Sequence, residues 1–331
     1  MRTNEGTLFL HYPCFDGLAS AAIAAEYLES REGWSIEEVR FVNYDLAKTW
    51  LSTTLPPRSA VVDFLYHPDA VFWADHHATT FLSEDLEHEV GQPAPGRTLL
   101  YDRTSPSCAM LLWRKVGKPS ALADRYAALA AAADRIDAAV YSSVGEAMFG
   151  WGDPAAEVNL SLTVSADASY GKLLLRAMRT MNVAAIASLD EVRWRLERAR
   201  READEGLTII RERIRMVHGE IAVTDVSPPN GVSVNRYTPY AIYPEARYSI
   251  TLTRSESQVA KITAMRNPWR EFASVDLGSL FRRYGGGGHQ RVGSVVLREG
   301  DGRDPGAVLS ELTEEIRLRD GEGSSSERMS A

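Results

Sequence analysis

The first 75 residues alternate short apolar segments with stretches that favour helices. The segment TLFLHYP predicts a first strand, and the GLASAAIAAEYLE that follows has the small and apolar residues of a packed helix. Three further strand candidates come next, in EVRFVNYD, SAVVDFLY and AVFWADHH. Strands that alternate with helices are typical of a parallel sheet covered by helices. We therefore predict an α/β fold whose N-terminal domain has a parallel sheet with helices on both faces.

The middle of the chain is predicted to be helical. Ser105 is a candidate N-cap, Pro106 suits the first helical position, and Gly117 is placed to end this helix. A second helix, in ALADRYAALAAAADRIDAAV, begins at 121. Residues 184–216 carry many charges and only one glycine, Gly206. This stretch predicts a long helix that connects two domains.

From residue 220 onward the periodicity becomes that of strands, in EIAVTDV, ARYSITLT and QVAKITAMR. A run of glycines at 285–288 precedes another strand, GSVVL. The end of the chain is short and polar, which predicts disorder. The predicted organisation is a catalytic domain at 1–183, a connector helix at 184–216, a smaller C-terminal α/β domain at 217–318 and a disordered tail at 319–331.

Length and composition agree with two domains in a reducing compartment. With 331 residues, 44% of them hydrophobic, the chain can bury two cores. It shows no apolar run of about 18 residues and no signal-peptide pattern. Cys14 and Cys108 are its only cysteines, whereas secreted chains of this size more often carry a larger paired set. We expect a cytoplasmic protein with no membrane partner, and the oligomeric state stays open, with a homodimer as one option.

The charge of the chain limits its partners. The formal net charge is −8, which argues against wholesale binding of duplex nucleic acid, because neutralising phosphates requires clustered lysine and arginine. Any contact with nucleic acid must therefore be local.

Acidic and imidazole side chains follow the predicted strands of the first domain. His11, Asp16, Asp63 and Asp75 all fall near the carboxyl ends of these strands, where parallel sheets bind their ligands. Converging carboxylates repel one another unless protons or cations neutralise them. Oxygen ligands with a minority of imidazoles suit Mn²⁺ or Mg²⁺, whereas Zn²⁺ sites are richer in His and Cys. We predict a divalent metal site, with manganese as the first choice.

Three motifs resemble those of the DHH phosphoesterase superfamily. They are HYPCFDG at 11–17, VVD at 61–63 and ADHH at 74–77. In addition, FRRYGGGGHQRVGSVVL at 281–297 is similar to the glycine-rich signature of the DHH-associated C-terminal domain, which contributes substrate binding in that superfamily. Two separated motifs in the right order are harder to match by accident than one.

The resemblance implies a role for each matched residue. His11 and Asp63 would hold one metal ion, and Asp63 would bridge to a second ion. The remaining implied ligands of the second ion are Asp16, His76 and an acidic residue of ADRID, for which Asp134 is preferred and Asp137 is the fallback. Asp75 would support this set or ligate weakly, and His77 would act in catalysis with it by contacting the substrate phosphate.

The first motif departs from the family at Cys14, where an aspartate is common. A thiolate can ligate a divalent ion, and it would favour Zn²⁺ or Fe²⁺ more than a carboxylate does. Alternatively, a neutral Cys14 packs beside a weakened first metal site. The sequence does not separate these two interpretations.

The glycine run is the predicted substrate-binding segment. Glycine lets a backbone approach a ligand closely and present N–H groups to phosphate oxygens, and a nearby arginine can bind phosphate with two hydrogen bonds. The candidate substrate-binding residues are Gly285, Gly286, Gly287, Gly288, His289 and Arg291.

These observations predict a phosphoesterase with two divalent ions, Mn²⁺ foremost and Mg²⁺, Zn²⁺ or Fe²⁺ as alternatives. The expected substrate is a short oligonucleotide, a dinucleotide or a nucleotide, hydrolysed by attack of a metal-bound hydroxide. The main alternative is a catalytically silent module of the same fold that binds nucleotides and regulates. A structural adaptor, the third hypothesis, leaves the clustered motif residues unexplained.

Overall fold

The computed structural model describes residues 4–117, 123–227, 234–254, 259–298 and 300–328. The chain divides into two compact units. The first comprises Met1–Tyr141 and Phe149–Ala199, and the second comprises Ser142–Met148 and Arg200–Ala331.

The first unit is built on a parallel sheet of five strands. Its strands are β1 (Glu5–His11), β2 (Ser35–Val42), β3 (Ser59–Val62), β4 (Phe72–Asp75) and β5 (Thr98–Tyr101). Their order is β2-β1-β3-β4-β5, and every neighbouring pair is parallel. The predicted parallel sheet is confirmed.

Nine helices of the described chain lie between Phe15 and Arg211. They are α1 (Phe15–Ser30), α2 (Glu84–Val90), α3 (Cys108–Leu112), α4 (Ala123–Asp137), α5 (Val144–Phe149), α6 (Pro154–Ser161), α7 (Ala168–Thr180), α8 (Val183–Ala187) and α9 (Asp190–Arg211). Short 3₁₀ turns occupy Tyr44–Leu46 and Trp50–Ser52, and a π-helical turn at Trp113–Gly117 extends α3.

Side chains alternate between the two faces of this sheet because successive residues of a strand point in opposite directions. Leu8 and Leu10 of β1 pack on one face, in a core that α1, α3, α4 and α7 share. Phe9, between them, packs on the other face in a second core, which Leu86 and Val90 of α2 cover. Helices therefore lie on both faces, as predicted.

The second unit holds a mixed sheet of six strands, β6 (Ile214–Val217), β7 (Ile221–Val226), β8 (Tyr248–Arg254), β9 (Ala260–Arg266), β10 (Gly287–His289) and β11 (Val292–Leu297). Their order is β10-β11-β9-β8-β7-β6, and only β7 and β8 run parallel. Among the described residues after β7 there are three helices. Helix α10 (Thr238–Ile242) lies between β7 and β8 in sequence, α11 (Leu277–Arg282) lies between β9 and β10, and α12 (Pro305–Arg328) follows β11. Leu280 of α11 and Leu312 of α12 pack against Ile250 and Ile262 of the sheet.

Element boundaries differ from the sequence prediction in three places. Helix α3 has Ser107 as its N-cap, two residues later than predicted, because the Ser107 side chain accepts a hydrogen bond from the backbone of Met110. The predicted connector is divided into α8 and α9, and the division between the units falls inside α9. Helix α12 continues to Arg328, through residues predicted as a disordered tail, and 329–331 lie outside the described residues.

No helix in the described part of the chain is both long and apolar enough to cross a membrane.

The glycine run ends one helix and begins one strand. The backbone N–H groups of Gly285 and Gly286 donate to the carbonyls of Arg282 and Phe281, which is the hydrogen-bond pattern of a Schellman helix end. Strand β10 follows at once and pairs antiparallel with β11. Two of the four amides predicted to face phosphate are therefore used by the end of α11.

We predict that Gly288→Ala lowers the free energy of unfolding by about 1–3 kcal/mol. Gly288 has a φ of 147°, and an added Cβ would lie 2.1 Å from the carbonyl oxygen of Val292. Gly287→Ala is the matched control, because its Cβ would meet no atom within 4 Å. Urea unfolding of both variants measures the difference, and equal effects would show that the hairpin tolerates a side chain at Gly288.

Candidate metal centre

The site lies in the first unit, at the carboxyl ends of three neighbouring strands. His11 is the last residue of β1, Asp63 follows β3, and Asp75 is the last residue of β4. Parallel pairing of these strands brings the three ends to one edge of the sheet. The backbone N–H of Asp63 also donates to the carbonyl of Ala74, which fixes its position beside β4.

Asp63 is the centre of the site. Its side chain is 1% exposed, and among the described residues no donor gives a hydrogen bond to either carboxylate oxygen. One oxygen, Oδ2, is 3.4 Å from Nδ1 of His11, and the other, Oδ1, is 3.9 Å from Nε2 of His76. The two oxygens therefore face different imidazoles, as a carboxylate that bridges two cations requires.

The electrostatic environment of the Asp63 carboxylate favours the binding of a positive charge. Burial raises its pKa well above the usual range, and the negative charges of Asp16, Asp75 and Asp137 raise it further. Burial lowers the pKa of His11, which favours the neutral imidazole that can ligate a cation. A divalent ion would remove the repulsion among these carboxylates.

Asp16 joins the site from the first turn of α1. Its carboxylate accepts hydrogen bonds from the backbone N–H groups of Cys108, at 2.7 Å, and Ala109, at 2.9 Å. These amides belong to the start of α3, so the carboxylate ties α1 to α3. Gly17 allows α1 to lie close to the end of β1, because a Cβ at this position would lie 2.1 Å from the carbonyl oxygen of His11.

His76 is oriented like a metal ligand. Its Nδ1 lies 3.0 Å from the carbonyl oxygen of Ser105, which can only accept, so Nδ1–H donates there and Nε2 is the nitrogen that faces the carboxylates. Nε2 is 3.4 Å from Oδ2 of Asp137 and 3.7 Å from Oδ2 of Asp16. Among the described residues Nε2 has no hydrogen-bond partner. The three side chains can thus converge on one cation.

Asp75 holds the two histidines in position, and with Asp63, His76 and His77 it also forms a group whose ligand atoms lie within 4.8 Å of one another. It is fully buried, and its Oδ1 accepts from the backbone of His76 and from Nδ1 of His77, both within 2.8 Å. Its Oδ2 accepts from the hydroxyl of Thr80. Burial lowers the pKa of His77, but the hydrogen bond and the charge of Asp75 outweigh burial and raise it to about 8.

Helix α4 places Asp137, the fallback in the sequence prediction, beside Asp16 and His76. Asp137 is the last residue of α4, and it forms a cluster with Asp16 and His76 whose ligand atoms lie within 4.8 Å of one another. Asp134 instead accepts a hydrogen bond from the hydroxyl of Ser107. Three residues of helix advance the chain by about 4.5 Å, so only the later aspartate reaches the other ligands.

Cys14 also lies at the site. It precedes α1 as the N-cap residue, and its Sγ is within 4.8 Å of the ligand atoms of His11 and Asp63. Burial raises the pKa of both free cysteines well above the usual range. The thiol of Cys108 differs in its contacts, because it donates to the carbonyl of Ala74 at 3.3 Å.

Tyr44 is a site residue that the sequence analysis missed. It follows β2, and its ring centroid is 5.0 Å from that of His11 and 6.4 Å from that of His77. Burial raises the pKa of its hydroxyl, and the charge of Asp75 adds to this effect. The sequence feature that could have identified Tyr44 is its position just after a predicted strand, at the edge of the sheet where the other site residues lie.

The predicted substrate-binding residues belong to the second unit. Arg291 is exposed in the turn between β10 and β11, and its carbonyl accepts a hydrogen bond from the backbone of Arg266. Gly287, Gly288 and the backbone of His289 form β10, which stands at the end of the strand order. The side chain of His289 is outside the described residues.

Solved structures share this fold. PggH from Vibrio cholerae, a pGpG-specific phosphodiesterase, matches with a TM-score of 0.68 and 18% identity over 93% of this chain and 99% of that chain. The DHH domain of a member of a family of ribosomal proteins matches with a TM-score of 0.62 and 15% identity over 95% and 86%. RecJ from Thermus thermophilus, in complex with Mn²⁺, matches with a TM-score of 0.54 and 16% identity over 96% and 52%, so this chain spans about half of RecJ.

No protein-family model and no curated protein sequence matches the chain. The fold that the resemblance implied is nevertheless confirmed, because the chain shares it with these structures over 93% or more of its length.

We predict that Asp137→Asn weakens Mn²⁺ binding by about tenfold or more, whereas Asp134→Asn has little effect. The two substitutions remove the same charge from the same helix, but only Asp137 faces His76 and Asp16. Calorimetric titration of the metal-free variants with Mn²⁺ gives both affinities. A larger loss in Asp134→Asn would restore the ligand preferred from the sequence.

The stability of the metal-free protein should depend on Asp137 in a defined pH window. Burial and the charge of Asp16 raise its pKa from 3.8 to about 6, so between these values the folded form binds more protons than the unfolded form. Stability is therefore lost as pH rises through this window. At about pH 7 the free energy of unfolding of Asp137→Asn should exceed that of the wild type by roughly 1–3 kcal/mol.

Urea unfolding of both proteins across the window, in chelator, tests this. The difference should vanish below about pH 3, where the carboxyl is protonated in both states. A difference that is independent of pH would contradict the assignment.

Proposed function

We propose that this chain, which has the fold of the DHH phosphoesterases, is a metal-dependent phosphoesterase that hydrolyses a phosphate ester of a dinucleotide or a short oligonucleotide. The observation that carries the proposal is Asp63, a buried carboxylate whose two oxygens face His11 and His76 and have no hydrogen-bond donor among the described residues. Such a group is costly without a cation, because burial without a hydrogen bond disfavours its charge.

The donor set fits two divalent ions. His11 and Asp63 would hold the first, and Asp16, His76 and Asp137 would hold the second, with Asp63 shared between them. The oxygen-rich second set suits Mn²⁺ or Mg²⁺, and RecJ was solved with Mn²⁺. When bound, two such ions lower the pKa of a water molecule and neutralise charge on phosphoryl oxygens.

The protein's own contribution to the reaction centres on His77. Asp75 accepts the hydrogen bond from Nδ1, so the imidazole is held in one orientation and Nε2 is left for the substrate. With a pKa of about 8 the metal-free imidazole is protonated at neutral pH. Its Nε2–H can donate to a phosphoryl oxygen, and at 25% exposure the ring is open to a ligand. Asp75 is the positioning residue of this pair.

The substrate class is proposed from size and charge. The pGpG-specific phosphodiesterase matches this chain over nearly its whole length, and the net charge of −8 disfavours long nucleic acids. In the second unit we propose Arg291 and the amides of β10 as phosphate contacts. The amides of Gly285 and Gly286 are excluded from this role, since they cap α11.

A silent nucleotide-binding module is the alternative of a different class. Its support was Cys14 in the first motif, but Cys14 itself lies with His11 and Asp63 in a group that could hold a metal ion. A chain without catalysis has no need of the Asp75–His77 pair, so we favour the enzyme.

We predict hydrolysis of pGpG that requires Mn²⁺ and is lost on chelation. His77→Gln should lower kcat by roughly 10²- to 10⁴-fold with little change in Mn²⁺ affinity, because it removes a proton donor and no metal ligand.

Asp63→Asn should abolish turnover and metal binding together. Asparagine tolerates the positive φ of 56° at this position, so the backbone is preserved.

Chromatographic assays on pGpG and on short and long oligonucleotides, with metal titrations of each variant, decide the matter. Full turnover after chelation would refute metal dependence. Tight Mn²⁺ binding without turnover on any of these substrates would favour the silent module.

A further inference from the structure

Cys14 lies at one of the two proposed ion positions and not at the other. Its Sγ joins His11 and Asp63 in a group whose ligand atoms are within 4.8 Å of one another. The second group, of Asp16, His76 and Asp137, contains no sulfur. The two positions thus differ in the softness of their donors.

The partners of Cys14 point to a ligand between them. Asp63 is 1% exposed, and its carboxylate oxygens have no hydrogen-bond donor among the described residues. Nδ1 of His11 is also buried without a hydrogen-bond partner in that part of the chain, and it lies 3.4 Å from Oδ2 of Asp63, with the ring edge-on to Tyr44. In the described part of the chain, two metal-ligating groups without hydrogen-bond partners thus lie around one point with the thiol, an arrangement that side-chain packing does not require.

We propose that the Cys14 thiolate is a ligand of the ion held by His11 and Asp63, so that this position prefers a softer cation than the second position does. The inference rests on the proposed metal centre. On binding, the thiol loses its proton to solvent and the sulfur–metal bond replaces the S–H bond, without any change of oxidation state. The N-terminal end of α1, which Cys14 caps, favours the negative charge on sulfur.

The preference follows from ligand chemistry. One sulfur, one imidazole and one carboxylate form a set that suits Zn²⁺, Fe²⁺ or Co²⁺, whereas carboxylates with one imidazole suit Mn²⁺ or Mg²⁺. The centre would therefore take two different ions in sequence. A soft ion should fill the His11 position first, and Mn²⁺ should then fill the Asp137 position.

Cobalt titration tests the proposal without reference to turnover. We expect the first equivalent of Co²⁺, added anaerobically to the metal-free wild type, to give near-ultraviolet sulfur-to-cobalt charge-transfer absorption. Cys14→Ser should lose this absorption and bind Zn²⁺ about tenfold or more weakly. Cys108→Ser is the matched control and should keep both, because the other buried thiol bonds to the Ala74 carbonyl.

Cys14→Asp is a second variant that keeps a ligand, and it should shift the ratio of Mn²⁺ to Zn²⁺ affinity toward Mn²⁺. Circular dichroism of the metal-free variants shows whether they fold. Co²⁺ binding with visible absorption but no charge-transfer band would overturn the thiolate ligand alone. No Co²⁺, Zn²⁺ or Mn²⁺ binding in the folded wild type would overturn the metal centre itself, and with it the proposed function.

Discussion

The repulsion among buried carboxylates at one edge of the parallel sheet is the main constraint on the structure of the first unit. Asp63 is buried with both carboxylate oxygens unpaired among the described residues, and Asp16, Asp75 and Asp137 add negative charge around it. Burial without compensation disfavours charge, so the cluster is poised for protons or cations. In the proposed function a bound ion relieves the repulsion among these carboxylates. The free energy released by this relief strengthens ion binding.

The surrounding fold holds the cluster in place through hydrogen bonds to its side chains. The carbonyl of Ser105 fixes the tautomer of His76, and Asp75 fixes the orientation of His77. The amides at the start of α3 hold Asp16. Preorganisation of this kind keeps ligand atoms in position in the absence of the ion, so less conformational entropy is lost when an ion binds.

The second unit shows how one glycine run can serve two purposes. Gly285 and Gly286 end α11 with their amides, and Gly288 lets β10 lie against β11 where no Cβ fits. Only after these structural demands are met does the hairpin offer Arg291 and the remaining amides of an edge strand. A glycine-rich motif therefore indicates close backbone approach, and its partners decide whether that approach is to a ligand or to the protein itself.

Sequence pattern alone was enough to predict the parallel sheet, the helices on both of its faces, the smaller second α/β unit and the placement of His11, Asp63 and Asp75 at one edge of the sheet. Strand periodicity and the rule that parallel strands end at one edge were sufficient for these. Only the tertiary structure showed that Asp137 rather than Asp134 lies beside Asp16 and His76, that Tyr44 lies next to His11, and that Cys14 lies beside Asp63. The reason is that these choices depend on where a helix ends relative to the sheet and on distances of a few ångströms between segments far apart in the chain, which local pattern does not encode.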